Sequence, residues 1–450
     1  MPKRPSRCSN TTAVAAGSSP GSTASIAGIA TPSLAGTDLT VPKRSFLFLQ
    51  GVCSPFFQRL ARQLVADGHR VTKVQFAGGD IAYWSRHGGP AYRFREALEA
   101  LPAFLAELRE RHAVTDQVVF GDQRPVHRAA IRSARADGVR NHVLEEGYFR
   151  PFWITLEREG VNGHSLLPQN AAWFRDVAPT LPPPARPTRF RSPFRVRATH
   201  DVLYHLAGLA NPVLFPRYRN HAPVTAPVEY AGYLKRFAQL RRWKPRDARR
   251  IERLTAGRAP YFVLPLQLNS DAQIRDHSPF SGMPEVIDYV MASFAREAPS
   301  DSRLCIKNHP LDMGLIDYAG LIGRLERHYG LEGRITYLES GDLNVLLKGA
   351  AGTITVNSTS GIVALEHRCP TIALSRPIYC LDGLTFKGPL DAFWRQPPPP
   401  QDDLFHCFHK TVMHTVQLNG GFYCRPGIDL ALTHVVRRLE AEVSPLEALL

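Results

Sequence analysis

Two stretches of the chain repeat one pattern: a short apolar run closed by glycine, proline or a polar cluster, then an amphipathic segment of helical period. Such alternation implies parallel βαβ units, because a strand that returns parallel to its neighbour needs a crossover, usually a helix. In the first stretch residues 46–50 read as a buried strand closed by Gly51. Pro55 then opens a helical pattern that puts Phe56, Phe57, Leu60, Ala61, Leu64 and Val65 on one face, and Gly68 ends it. Further strands are expected over 71–76, 117–120 and 142–144, with helices over 92–112 (interrupted at Pro102) and 126–136. The second stretch begins with a strand at 261–265 and continues with strands at 304–307, 335–338, 352–356 and 371–374. Its helices are expected over 284–296, 316–329, 343–348 and 360–367, with two more at 404–417 and 428–442.

The stretches are separated by a proline-rich run, 182–187, and a basic segment. Residues 186–253 hold sixteen Lys/Arg against four acids, +12 of the chain's +15. A surface of that sign suits an anionic partner: phospholipid, sugar phosphate or nucleic acid. Phe190, Phe194, Tyr218, Tyr230 and Trp243 lie among the cations and suggest a membrane-facing surface. The plainer account is a solvated arginine-rich linker.

At 450 residues, with 44% hydrophobic and 21% charged residues, the chain has the size and composition of two globular domains. We therefore expect an α/β, GT-B-like architecture of two Rossmann-like domains with a cleft between them. The expected parts are a disordered tail (1–43), an acceptor-side domain (44–185), a basic linker or insertion (186–255), a donor domain (256–400) and C-terminal helices (401–450). The tail is rich in Ser, Thr, Ala and Gly and lacks the apolar core of a signal peptide. No apolar run approaches the roughly 20 residues that span a bilayer. The seven cysteines are scattered and form no CxxC pair, which points to a reducing compartment, the cytoplasm.

In open α/β sheets ligands bind beyond the carboxyl ends of the strands. Glu145-Glu146-Gly147 follows a predicted strand there. Sugar transfer needs a carboxylate to take the acceptor proton or to steady an oxocarbenium ion. Adjacent residues of an extended chain point to opposite sides, so one of the pair faces the cleft. A solvated acidic turn is the alternative. Lys307-Asn308-His309-Pro310 also follows a strand, and its histidine suits a leaving phosphate. Asn357-Ser358-Thr359-Ser360-Gly361 lies between a strand and a helix start, where hydroxyls and free N–H groups either bind phosphate or only cap the helix. No P-loop, GxGxxG or Asp-x-Asp is present. The spacing of His406, Cys407, His409 and His414 matches no standard zinc site.

At these residues the chain resembles the capsular polysaccharide biosynthesis/export family of the KpsS and LipB type. The resembling segments run from Leu49-Gln50-Gly51 and Ser54-Pro55-Phe56-Phe57 through Gly78-Gly79-Asp80, Gly121-Asp122-Gln123-Arg124-Pro125-Val126-His127 and Glu145-Glu146-Gly147-Tyr148-Phe149-Arg150-Pro151. They continue in Leu264-Pro265-Leu266-Gln267, the Lys307–Pro310 loop and the Asn357–Gly361 loop.

The resemblance implies a β-Kdo transferase that uses CMP-Kdo and a lysophosphatidylglycerol-type acceptor at the cytoplasmic face of the inner membrane. It places catalysis on Glu145 or Glu146 and His309. The donor phosphate falls to Lys307, Asn308, Pro310, Asn357, Ser358, Thr359, Ser360 and Gly361. Cleft or acceptor candidates are Gly51, Ser54, Arg124, His127, Gly147, Tyr148, Arg150 and Gln267. No cofactor or metal is expected, in keeping with a CMP donor and the missing Asp-x-Asp. Other capsule-assembly proteins are possible partners, and nucleic acid is not. The competing readings are a non-catalytic export component and a transferase using another CMP-sugar.

Overall fold

The computed structural model describes residues 43–218, 226–269, 274 and 278–450. The expected tail therefore lies almost wholly outside the described residues. The first half holds β1 (Ser45–Phe48), β2 (Arg70–Gln75), β3 (Ala91–Arg93), β4 (Asp116–Phe120), β5 (Arg140–Glu146) and β6 (Trp153–Arg158). The second holds β7 (Tyr261–Pro265), β8 (Arg303–Lys307), β9 (Ile335–Leu338), β10 (Gly352–Thr355) and β11 (Thr371–Ala373), and β12 (Gln417–Asn419) follows. The strand orders are β12-β6-β5-β4-β1-β2-β3 and β11-β10-β7-β8-β9. The second sheet is wholly parallel. In the first, β3 to β5 run parallel, while β6 and β12 are antiparallel additions at one edge. The architecture is α/β and GT-B-like, two Rossmann-like halves with the expected strand-helix alternation.

Several elements depart from the sequence reading. Tyr92 lies not in a helix but in β3, opposite Val74. The helix begins at Leu101, and Pro102 sits in its first turn, where a missing N–H costs nothing. β6 and β12 were not expected. β12 carries the chain back to the first sheet, and helix Arg425–Glu440 buries Ile428, Val435 and Leu439 with Phe46, Phe56 and Leu60. The C-terminal residues thus complete the first half instead of forming a separate appendage.

Residues 186–255, expected as a basic linker or insertion, are largely helical among the described residues. They contain helix Phe194–Gly208, the short helix Asn211–Leu214 and the long helix Ala226–Ala256. The first packs on Gly78 and Gly79, where added Cβ atoms would lie 2.1 Å from the Ala207 carbonyl oxygen and 2.4 Å from the Tyr204 ring. Only glycine permits that approach, which accounts for Gly78-Gly79-Asp80. The long helix docks on the second half through buried Arg236, which pairs with Asp312 at 3.0 Å and Glu339 at 3.2 Å. Buried Asp247 accepts the backbone N–H groups of Glu339 and Ser340. A core containing Tyr148, Phe149 and Phe174 from the first half, Ile362 and Tyr379 from the second, and Phe408 ties the halves together.

Candidate functional site

Strands that share a direction end on the same edge of their sheet. The carboxyl ends of β1, β4 and β5 therefore bring Gly51, Arg124 and the acidic pair to one edge. Those of β7, β8 and β10 bring Gln267, His309 and Asn357 to another. Contacts join the two edges: Asn162 Nδ2 donates to the Asn357 carbonyl at 3.4 Å, and Gln169 Nε2 to that of Pro377 at 3.5 Å.

β5 extends through both glutamates instead of ending before them, because β6 pairs with it: Glu145 faces Thr155 and Glu146 faces Ile154. Gly147 closes this hairpin. A Cβ there would lie 2.2 Å from the Trp153 carbonyl oxygen. Strand alternation sends the two carboxylates apart. Glu146 Oε1 lies 3.5 Å from Arg197 Nη1 of helix Phe194–Gly208, and the guanidinium stands 4.6 Å from the Tyr423 ring centre. Burial opposes the Arg197 charge, but Tyr423, Glu146 and Asp201 outweigh it and raise its pKa. Glu145 acts electrostatically on Tyr148 instead. Tyr148 Oη donates to Glu157 Oε1 at 2.6 Å, and the Asn162 N–H donates to Tyr148 Oη. Burial pushes the Glu157 carboxyl up to about 7.

Across the cleft, His309 Nδ1 accepts the Leu311 N–H at 3.1 Å. Burial, then the charges of Lys307, Arg150, Arg236 and Arg197, push its pKa down to about 4. The ring is therefore neutral at pH 7, and with Nδ1 accepting, its proton resides on Nε2. That tautomer donates a hydrogen bond to an anionic oxygen. Arg150 belongs to the first half and Arg197 to the helix packed against it, so charges from that side act on His309. Asn308 supports the loop: its Oδ1 accepts the His309 N–H at 2.7 Å, and its Nδ2 donates to Glu339 at 3.0 Å. Lys307 is buried, with Nζ donating to the Asn308 carbonyl. Pro310 is exposed at the turn.

His309 and the Asn357–Gly361 loop share an edge with β7 between them, a separation of about two strand spacings, ~10 Å. Gln267 Nε2 donates to Asn357 Oδ1 at 2.8 Å, and the Asn357 N–H is 3.3 Å from Gln267 Oε1. Gln267 thus sits with the Asn357–Gly361 loop, not with the strand ends of the first half. The Ser358 Oγ accepts the Ser360 N–H at 3.1 Å, and its carbonyl accepts Tyr379 Oη at 2.6 Å. Thr359 and Ser360 are half-buried. A Cβ on Gly361 would lie 2.3 Å from Tyr379 Oη. Beside this loop is a cavity of about 860 Å³ lined by Asn162, His164, Asn357, Ser375, Arg376 and Lys387 among others. His164 Nδ1 is 3.0 Å from Asp122.

Other expected residues serve the scaffold. Ser54 is 1% exposed and accepts the Phe56 N–H at the start of its helix. His127 is fully buried and donates through Nδ1 to the Gly121 carbonyl at 2.7 Å. Neither reaches solvent, so neither lines the acceptor cleft, which corrects the expectation for both. Gly51 lies against Phe57, and its carbonyl accepts Arg124 Nη1 at 3.1 Å. Arg124 lines a second cavity, about 550 Å³, walled by Gln50, Phe76, Phe94, Val126 and Tyr218. Tyr148 is buried within the Glu157 network, and Arg150 Nε donates to the Gly147 carbonyl. Among the described residues no group of three His, Cys, Asp or Glu side chains is placed to hold a metal ion, and no helix is long and apolar enough to cross a membrane.

Sequence reasoning missed Arg197, Tyr423, Asn162, His164, Ser375, Arg376 and Lys387. Ser375 and Arg376 follow β11, so the strand-end rule held a signal for them. Arg197 was one of sixteen cations with nothing to single it out.

A family model described as capsule polysaccharide biosynthesis protein matches residues 115–423. The chain belongs to that family. It is 36% identical over 387 residues to the capsule polysaccharide modification protein LipB of Neisseria meningitidis serogroup B, covering 84% of this chain and 91% of that protein. It is 35% identical over 381 residues to the capsule polysaccharide export protein KpsS of Escherichia coli, covering 84% and 97%. Among solved structures, the β-Kdo 2,7 transferase of Thermosulfurimonas dismutans KpsC aligns with 88% of this chain and 99% of its own, at 13% identity and a TM-score of 0.41. The matched family span takes in the acidic pair, Arg197, His309, the Asn357 loop and Tyr423, so it covers both edges of the cleft.

Proposed function

We propose that this capsule-family protein is a glycosyltransferase that moves Kdo from CMP-Kdo to a lysophosphatidylglycerol-type lipid terminus, the start of a poly-Kdo linker. The observation that carries the reading is the convergence of an acidic strand end and a neutral histidine across one cleft, with a cavity beside the hydroxyl loop. The CMP phosphate lies between His309 and the Ser358–Gly361 loop, and the nucleoside fills the 860 Å³ cavity. His309 Nε2–H donates to the phosphate oxygen as the sugar–phosphate bond breaks. One carboxylate of Glu145 and Glu146 takes the acceptor hydroxyl's proton or steadies the cationic sugar as the new C–O bond forms. Arg124, which lines the 550 Å³ cavity together with Arg217, Glu96 and Glu99, faces the acceptor's phosphate. The enzyme works at the cytoplasmic face of the inner membrane and needs no metal.

A donor screen tests this. Purified protein is incubated with a fluorescent lysophosphatidylglycerol acceptor and CMP-Kdo, CMP-sialic acid or UDP-sugars. Product with CMP-Kdo alone is expected. Product with UDP-sugars overturns the donor assignment, and no product with any donor points to a non-catalytic export role.

A further inference from the structure

Large apolar side chains left exposed among the described residues concentrate on the two helices of the basic segment. Leu209 is 74% exposed and Leu234 72%, with Phe194, Leu203, Leu206 and Phe237 about half exposed. Helix Phe194–Gly208 spends its other face, Tyr204 and Ala207, on Gly79 and Gly78. Helix Ala226–Ala256 turns Tyr233 and Arg236 to the second half, where Tyr233 Oη reaches the Leu311 carbonyl. The faces they leave outward join: the Phe194 and Phe237 ring centres are 6.4 Å apart, and Tyr230 Oη donates to Asp201 at 3.1 Å.

Arg195, Lys235, Arg241 and Arg242 are exposed on the same two helices. Of the segment's four acids, Asp247 is buried, Asp201 accepts from Tyr230, Glu229 is half-buried and Glu252 is exposed towards the end of the long helix. Not all of the segment's charge belongs to this face. Arg236 is buried, and Arg250 donates to the Tyr337 carbonyl. The patch borders the cleft, because Arg197 at Glu146 lies one turn from Phe194, and Tyr233 contacts Leu311, two residues from His309.

We infer that this face docks on an anionic lipid bilayer, its leucines and phenylalanines entering the interface and its cations meeting the headgroups. Exposed leucine and phenylalanine rimmed by Arg195, Lys235, Arg241 and Arg242 combine the apolar face and the cationic rim of a helix that lies on an anionic bilayer. The lipid acceptor of the proposed reaction, on which this inference rests for its purpose, then reaches the acidic pair without leaving the membrane.

Co-sedimentation of the full chain with vesicles of phosphatidylcholine, with and without an equal share of phosphatidylglycerol, tests the inference in the absence of sugar donor. Its failure is therefore separable from failure of the transferase reading. The wild type is expected to bind the anionic vesicles selectively and to release with salt. Arg241→Gln with Arg242→Gln weakens anionic binding about 25-fold, at roughly fivefold per cation. Leu206→Ser with Leu234→Ser weakens it about tenfold or more per residue. Leu203→Trp supplies a second measurement, a blue shift of its emission on anionic vesicles. Equal binding to both vesicle types, no binding, or variants that bind like wild type overturn the inference. So does self-association that the leucine pair abolishes while vesicles leave the wild type unbound.

Discussion

Arg197 Nη1 stands 3.5 Å from Glu146 Oε1, so a cation from the middle of the basic segment is built into the strand end that carries the acidic pair. The same guanidinium lies over Tyr423 and contributes to the low pKa of His309. Removing it alters both edges of the cleft at once. Arg197→Ala is expected to lower turnover about tenfold or more, with Arg197→Lys recovering part of it. Because the pair is coupled, Glu146→Gln combined with Arg197→Gln should cost less than the two single changes multiplied. A double-mutant cycle on kcat measures this, and strictly multiplicative effects refute the coupling.

The two glutamates have different surroundings, Glu146 beside Arg197 and Glu145 near Tyr148. Glu145→Gln or Glu146→Gln, at one of the two positions, should reduce turnover by roughly 100-fold or more. CMP binding by titration calorimetry should stay near wild type, since the loop proposed to hold the donor belongs to the other half. Full activity in both variants reduces the pair to a hairpin feature.

The Asn357–Gly361 loop is held by Tyr379. Tyr379→Phe deletes the bonds of its hydroxyl to the Ser358 carbonyl and the Thr355 side chain, a net loss of about 1 kcal/mol each, and should raise the donor KM a few-fold. Gly361→Ala drives a Cβ against Tyr379 Oη and should cost about 1–3 kcal/mol of stability with a larger rise in KM. Unchanged CMP affinity in both separates the loop from the donor site.

Burial and the nearby cations hold His309 near pKa 4, against 6.5 in the unfolded chain. Below pH 6.5 the unfolded chain takes up protons that the fold refuses. Its stability contribution is therefore complete above 6.5 and lost progressively towards pH 4, up to about 3 kcal/mol. Denaturant unfolding at pH 7 and pH 4.5 should show His309→Asn losing less on acidification than the wild type. An identical loss excludes His309 from the acid response.

Most strand ends that frame the cleft were legible because hydrophobic period and turn residues are local properties. β7 to β11 all appear where apolar runs meet polar clusters, and the loops after β8 and β10 were marked by Lys307–Pro310 and Asn357–Gly361. Glu145 and Glu146 were found by type and position, although the strand swallowed them. β6 was hidden because its pairing with β5 is decided by an antiparallel partner and by β12, over 250 residues later in sequence. Ser54 and His127 have side chains suited to a site, and only burial shows that they serve a helix start and a turn.

The sequence by itself determined the alternating α/β architecture, the two halves and the residue types at the strand ends, since each follows from spacing a few residues long. Tertiary structure alone decided which cation meets Glu146, which of sixteen face outward, and that leucines rather than arginines mark the exposed patch. Those outcomes depend on which helix face the glycines Gly78 and Gly79 admit and which face Arg236 anchors, and such contacts join residues more than seventy positions apart.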